Sequence, residues 1–145
     1  MIGEGDSIPE FEVKNQDGEK AVSEKIEDAV IYFYPKADTP GCTKEACNFR
    51  DNIKLLEDKE LEVYGVSTDS VEAQKKFAEK YNLNFDLLAD QDGVVAGKFG
   101  VLQESGYAER TTFILRDGEM EKVFRKVDPG EHLDEVIQYL RMNGK

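Results

Sequence analysis

The chain of 145 residues predicts an α/β fold. Three observations carry that expectation. Apolar runs of strand length alternate with stretches of helical spacing. The run Ala29-Val-Ile-Tyr-Phe-Tyr34 is almost continuously apolar, as a strand buried on both faces is. Near the C-terminal end, Arg116-Asp-Gly-Glu119 is a turn signal that joins two such runs as a hairpin.

The elements follow in order. Residues 1–28 form an extension with strand candidates at Phe11–Lys14 and Lys20–Ser23 around the turn Asp17-Gly18. After the strand ending at Tyr34, residues from about Thr43 to Lys59 place Ala46, Phe49, Ile53 and Leu56 on one side of a helix. Leu61–Val66 is the next strand. Asp69 or Ser70 opens a helix that groups Ala73, Phe77 and Tyr81. Phe85–Ala89 is a third buried strand, and a short helical piece spans Val94–Phe99. The hairpin strands are Thr111–Leu115 and Met120–Arg125. Asp128-Pro-Gly-Glu131 has the order of an N-cap, a first-turn proline and an acid, and starts a last helix with Leu133, Val136, Ile137 and Leu140 on one face. This order is that of a thioredoxin-like fold: a central mixed β-sheet flanked by helices, with an N-terminal extension. No repeat, linker or low-complexity stretch divides residues 1–145, so one domain is expected.

Composition narrows the function. Apolar residues at 39% and charged residues at 34% describe a globular chain able to bury a core, not a disordered one. A net charge of -12 argues against nucleic acid, which needs a basic footprint, and against anionic membrane surfaces. No run is long enough to span a membrane, and Met1-Ile-Gly-Glu-Gly-Asp lacks the regions of a signal peptide. A cytoplasmic protein is expected. In that reducing compartment a close cysteine pair is more often catalytic or metal-binding than structural. Metal is the weaker option, because two thiols and a distant His132 do not make a tetrahedral zinc set. His132 itself reads as an ordinary surface residue rather than a base.

Both cysteines lie in Tyr34-Pro-Lys-Ala-Asp-Thr-Pro-Gly-Cys-Thr-Lys-Glu-Ala-Cys47. A proline-bearing turn after a strand delivers Cys42 to the first turn of a helix. Free N–H groups and a partial positive charge there favour a thiolate, which is the nucleophile. Cys47 follows five residues on. In an ideal helix that spacing gives a difference in direction of about 140° and a Cα separation of roughly 8–9 Å. A disulfide needs Cα atoms closer than about 7 Å, so the pair bonds only if the first turns unwind. The alternative is two inert cysteines, Cys42 being one more small apolar residue beside Ala46 and Phe49. Thr39 and Pro40 likewise read as N-cap and first helical residue, Pro35 as a strand terminator, and Arg110 as a surface residue at a strand start. An arginine near Cys42 would stabilise its thiolate, but spacing alone does not bring Arg110 there.

Pro35-x-x-x-Thr39-x-x-Cys42 resembles the active-site signature of the peroxiredoxins. The fuller run from Phe33 to Asp51 is similar to the bacterioferritin comigratory protein/peroxiredoxin Q subfamily, which often has its second cysteine five residues after the first. The similarity continues in the N-terminal segment through Phe11, in Gly65-Val-Ser-Thr-Asp-Ser70, in Phe85-Asp-Leu-Leu-Ala-Asp90 and in Arg110-Thr-Thr-Phe-Ile-Leu115. The resemblance implies a thiol-dependent peroxidase acting on hydrogen peroxide and organic hydroperoxides, with no metal, haem or flavin. It implies that Cys42 attacks the peroxide, that Cys47 resolves the sulfenic acid as an intramolecular disulfide, and that thioredoxin or a glutaredoxin-like dithiol reduces it. Thr39 and Arg110 would then orient the peroxide, Pro35, Pro40 and Gly41 would shape the pocket, and Glu45 would position the arginine. A monomer is expected, since the resolving cysteine is in the same chain; a dimer through the loop side is the alternative. Two departures stand out: Leu102–Glu109 is shorter than in many relatives, and Gln74 replaces a frequent histidine away from the motif. A general disulfide reductase and a redox sensor are the competing functions. The five-residue spacing and Thr39 disfavour the reductase.

Overall fold

A computed structural model describes residues 3–126, 128 and 132–142. The strands are β1 (Glu12–Asn15), β2 (Lys20–Val22), β3 (Ala29–Phe33), β4 (Glu62–Ser67), β5 (Asp86–Ala89), β6 (Thr111–Arg116) and β7 (Glu119–Phe124). The α-helices are α1 (Pro40–Asp51), α2 (Ile53–Asp58), α3 (Val71–Lys80), α4 (Val94–Lys98) and α5 (His132–Met142). The strands form a seven-stranded mixed sheet in the order β2-β1-β5-β4-β3-β6-β7. β3, β4 and β5 run parallel, while β6 lies antiparallel to β3 and β1 antiparallel to β5.

The periodicity of two decides which residues go to which face. Val30 and Tyr32 of β3 share one core with Val63, Leu87 and Ile114 and with residues of α1, α2, α3 and α5. Ala29, Ile31 and Phe33 point the other way, into a core with Val66, Leu88, Phe113, Leu115, α4 and Phe11 of the extension. Every residue of β3 is buried, which is why its run is continuously apolar. In the hairpin, Asp117 (φ +53°) and Gly118 (φ +77°) make the two-residue turn in which both positions need positive φ. Ser70 caps α3, its hydroxyl accepting from the Ala73 N–H at 3.1 Å.

The single helix expected over 43–59 is two. Asn52 breaks it with φ -119° and ψ 16°, and its side-chain amide donates to the Asn48 carbonyl at 2.9 Å. A short amide in competition with the helix ladder is the physical reason. The first of the two starts at Pro40, as its reading as the first helical residue requires, since its missing N–H is harmless there. The expected start of the last helix at Asp128-Pro-Gly-Glu131 lies outside the described residues, except for Asp128; Leu133, Val136 and Leu140 of α5 are buried as its spacing requires. Among the described residues, no helix is long and apolar enough to cross a membrane.

Candidate active site

β3 ends where α1 begins, joined by the loop Tyr34–Thr39. Because β6 is antiparallel to β3, with Phe33 opposite Thr111, the start of β6 lies beside that loop. The topology therefore carries Arg110 to the N-terminal end of α1, across a sequence distance that hides it. Cys42 is the third residue of α1 and 1% exposed. Arg110 Nη2 donates to Cys42 Sγ at 3.4 Å, and Nη1 donates to Glu45 Oε1 at 2.8 Å. One guanidinium thus bridges a sulfur and a carboxylate one helical turn apart. A cation and the helix N-terminus face the same sulfur, and both stabilise negative charge on it.

Glu45 is the deeper partner, with its side chain only 1% exposed. Burial pushes its carboxyl up to about 7, and the Arg110 guanidinium works against that rise. Its second oxygen, Oε2, is buried without a hydrogen-bond partner. Arg110 is held above its ordinary value: burial opposes its charge, but Glu45 and Cys42 outweigh it. Beneath them lies Tyr32, fully buried, its hydroxyl also without a partner. Burial, followed by Tyr34, Glu45 and Cys42, raises Tyr32 well above the usual tyrosine value, so it stays neutral.

The other motif residues lie on the loop before α1 and along the helix itself. Thr39 stands at the N-cap by backbone conformation, yet its hydroxyl makes no capping bond. It donates instead to the Lys36 carbonyl at 2.9 Å, which leaves its oxygen lone pairs free to accept. Pro35 and Gly41 are half-buried and Pro40 is exposed. By helical geometry the Cys42 N–H has no acceptor within its own helix. Cys47 is partly exposed further along the unbroken α1, and both cysteines are free thiols. In the following segment, Leu102 bridges Ala108 and the Thr68 hydroxyl donates to the Gly106 carbonyl at 3.0 Å. That short loop leads straight into Arg110. Among the described residues, no group of three or more His, Cys, Asp or Glu could hold a metal ion.

Residues outside the motif hold the loop. The Tyr34 hydroxyl donates to Gln74 Oε1 at 2.5 Å, and Gln74 Nε2 donates to the Leu88 carbonyl at 2.9 Å. Gln74 is fully buried, so the position that looks remote in sequence braces the end of β3. Asp69 Oδ2 accepts from the Ala37 N–H at 2.7 Å and from the Ser67 hydroxyl at 2.6 Å. Gly65-Val-Ser-Thr-Asp-Ser70 carried that contact only as a similarity, with no signal of its own for its target.

The fold and the cysteine–arginine–glutamate cluster define a thiol-based α/β enzyme. The chain belongs to the AhpC/TSA family, whose model matches residues 4–123, and within it to the peroxiredoxins of the Bcp and peroxiredoxin Q type, which are thiol peroxidases. It is 40% identical to "Peroxiredoxin Bcp" of Escherichia coli (strain K12), over 94% of each chain. The solved structure of peroxidoxin BcpB from Mycobacterium tuberculosis matches with a TM-score of 0.91 and 36% identity, covering 100% of both chains. The bacterioferritin comigratory protein of Xanthomonas campestris, whose structure is described in terms of alkyl peroxide reduction, matches with a TM-score of 0.86 and 30% identity over 93% of this chain and 92% of that one. The thioredoxin-like arrangement expected from the element order is therefore the fold of this family.

Proposed function

We propose that the chain reduces hydroperoxides with Cys42 as the attacking group and Cys47 as the resolving one. The observation that supports this best is the single guanidinium shared by Cys42 Sγ and Glu45. In the first step the Cys42 thiolate attacks one peroxide oxygen. The O–O bond breaks, sulfur becomes sulfenic acid, and the departing oxygen takes a proton to leave as water or alcohol. Arg110 keeps its charge against the reacting sulfur and oxygens, the Thr39 oxygen accepts from the peroxide O–H, and the Cys42 N–H donates to the peroxide. Pro35, Pro40 and Gly41 form the rim that limits further oxidation, and Glu45 orients Arg110. In the second step the Cys47 sulfur attacks the sulfenic sulfur; an S–S bond forms and water leaves. A dithiol protein of the thioredoxin or glutaredoxin kind then takes the disulfide by exchange, itself becoming oxidised.

The alkyl peroxide activity named for the Xanthomonas campestris relative extends the substrate class to organic hydroperoxides. The resolving thiol in the same chain suits a monomer, and the reducing cytoplasm suits the dithiol donor. The test is stopped-flow oxidation of the reduced protein with one equivalent of hydrogen peroxide or an alkyl hydroperoxide, thiols being counted by mass spectrometry. Rapid loss of both thiols to an internal disulfide is expected. Cys42→Ser should lose all turnover, while Cys47→Ser should make one attack and stop at sulfenic acid. Continued turnover by Cys42→Ser would overturn the assignment.

A further inference from the structure

One corner of the fold grips α1 at both ends. Ahead of the helix, Asp38 Oδ1 accepts from the Tyr81 hydroxyl at 2.7 Å and Oδ2 accepts from the Lys80 ammonium at 2.9 Å. Behind it, Arg50 Nη1 donates to the Tyr81 carbonyl at 2.6 Å, and Asn84 Nδ2 donates to the Arg50 carbonyl at 3.2 Å. Asp38 sits at φ +58°, a left-handed conformation that short polar side chains tolerate better than most. One residue upstream, the Ala37 N–H is tied to Asp69.

These ties are unequal. The Asp38 contacts are exposed to solvent. The rear of α1 is backed by Phe49, fully buried and stacked on Tyr32 with ring centroids 4.5 Å apart. Ala37 is held by a carboxylate that Ser67 also fixes, in partly buried surroundings. Loss of the Asp38 contacts therefore frees the front of the helix first.

We propose that Asp38, held by Tyr81 and Lys80, is a latch on α1, and that its release lets residues 38–48 unwind between a hinge at Ala37 and a stop at Phe49–Arg50. The inference rests on the reading of an internal Cys42–Cys47 disulfide, in which the S–S bond forms as water leaves the sulfenic acid. Lys80 and Tyr81 are then positioning residues for the second step. They touch neither sulfur nor peroxide.

The test is the double variant Lys80→Ala, Tyr81→Phe. It removes both donors to Asp38 and keeps the Tyr81 carbonyl for Arg50 and the ring that packs on Phe77. Oxidation of Cys42 should be unchanged, because the folded site still predominates. Conversion of sulfenic acid to disulfide should accelerate roughly three- to tenfold, the range that exposed hydrogen bonds and ion pairs support. Raising salt should accelerate that conversion in the parent protein, by screening Asp38 from Lys80, and not in the variant. Hydrogen exchange of the reduced protein gives a readout that needs no disulfide. The amides of residues 43–46 should exchange faster in the variant, while those of Phe49 and Arg50 should not. Faster exchange with no disulfide in either protein would support the latch and overturn the disulfide. Unchanged exchange, with the disulfide forming at the parent rate, would overturn the latch and leave the disulfide standing.

Discussion

The cluster at Cys42 depends on a guanidinium rather than on positive charge alone. Arg110 reaches Sγ with Nη2 and Glu45 with Nη1, two donors fixed in one plane. Lysine offers one compact ammonium and cannot span both. Arg110→Lys should therefore slow peroxide attack about 10- to 100-fold, the worth of one charge-assisted hydrogen bond, as read from the second-order rate under stopped flow. A rate within twofold of the parent would show that charge alone suffices. Glu45 gives the second prediction at this scale. Its carboxyl is raised from 4.5 to about 7 by burial. Between those values the unfolded chain ionises while the folded one keeps its proton. Stability contributed by the protonated group is full below the lower value and is lost as pH rises through the upper one. The difference in unfolding free energy between the parent and Glu45→Gln should shift against the parent by on the order of 2–3 kcal/mol from pH 4 to pH 8. Denaturant titration at several pH values measures it; a flat difference would mean that Arg110 keeps Glu45 ionised throughout.

At the scale of elements, the contact between β3 and α1 runs through Tyr32. Its ring lies across Gly65 of the neighbouring strand and stacks on Phe49 of the helix, 4.5 Å away. A Cβ at Gly65 would stand 2.9 Å from Leu87 Cδ2 and 3.0 Å from the Tyr32 ring and hydroxyl. Gly65→Ala should push the ring towards α1 and destabilise the protein by about 1–3 kcal/mol, measured by chemical denaturation. An unchanged midpoint would mean that Leu87 and Tyr32 yield without strain. The strands and helices themselves were legible, because period and apolar runs report burial directly: β3, the Asp117-Gly118 hairpin and the Ser70 cap lie where their residues place them. The break at Asn52 was not, since it turns on one side-chain amide choosing a backbone carbonyl. The site divides the same way. Pro35, Thr39 and Cys42 share one signature, and Cys47 lies in the same segment. Arg110 entered through resemblance, and only the antiparallel pairing of β3 with β6 puts it beside Cys42. Gln74, Asp69 and Asp38 act through contacts between segments more than thirty residues apart, for which a single sequence has no local pattern.

For the whole molecule, the proposed Cys42–Cys47 disulfide should reverse the usual effect of such a bond on stability. Cross-linking Cys42 to Cys47 closes a very short loop, so the entropy removed from the unfolded chain is worth only roughly 2 kcal/mol. Against it stands what α1 contributes while wound. Cys42 and Ala46 are buried in the core that α5 completes with Leu133, Val136 and Leu140. Arg110 would also lose its hydrogen bond to Glu45 at 2.8 Å, a charge-assisted contact worth about 1.5–3 kcal/mol. Unwinding the first turns also gives up helical hydrogen bonds such as Thr43 N–H to the Thr39 carbonyl at 2.8 Å. The losses exceed the gain, so the oxidised protein should be the less stable form. Its melting temperature should fall by about 5 °C or more below that of the reduced protein, on the scale of a few degrees per kcal/mol for a chain of this size. Far-UV circular dichroism should report less helix in the same sample. The reduced form would then be the ground state to which a dithiol donor returns the enzyme, with refolding of α1 helping to drive the exchange. An oxidised form that melts higher, with full helix content, would mean that the disulfide forms without unwinding α1.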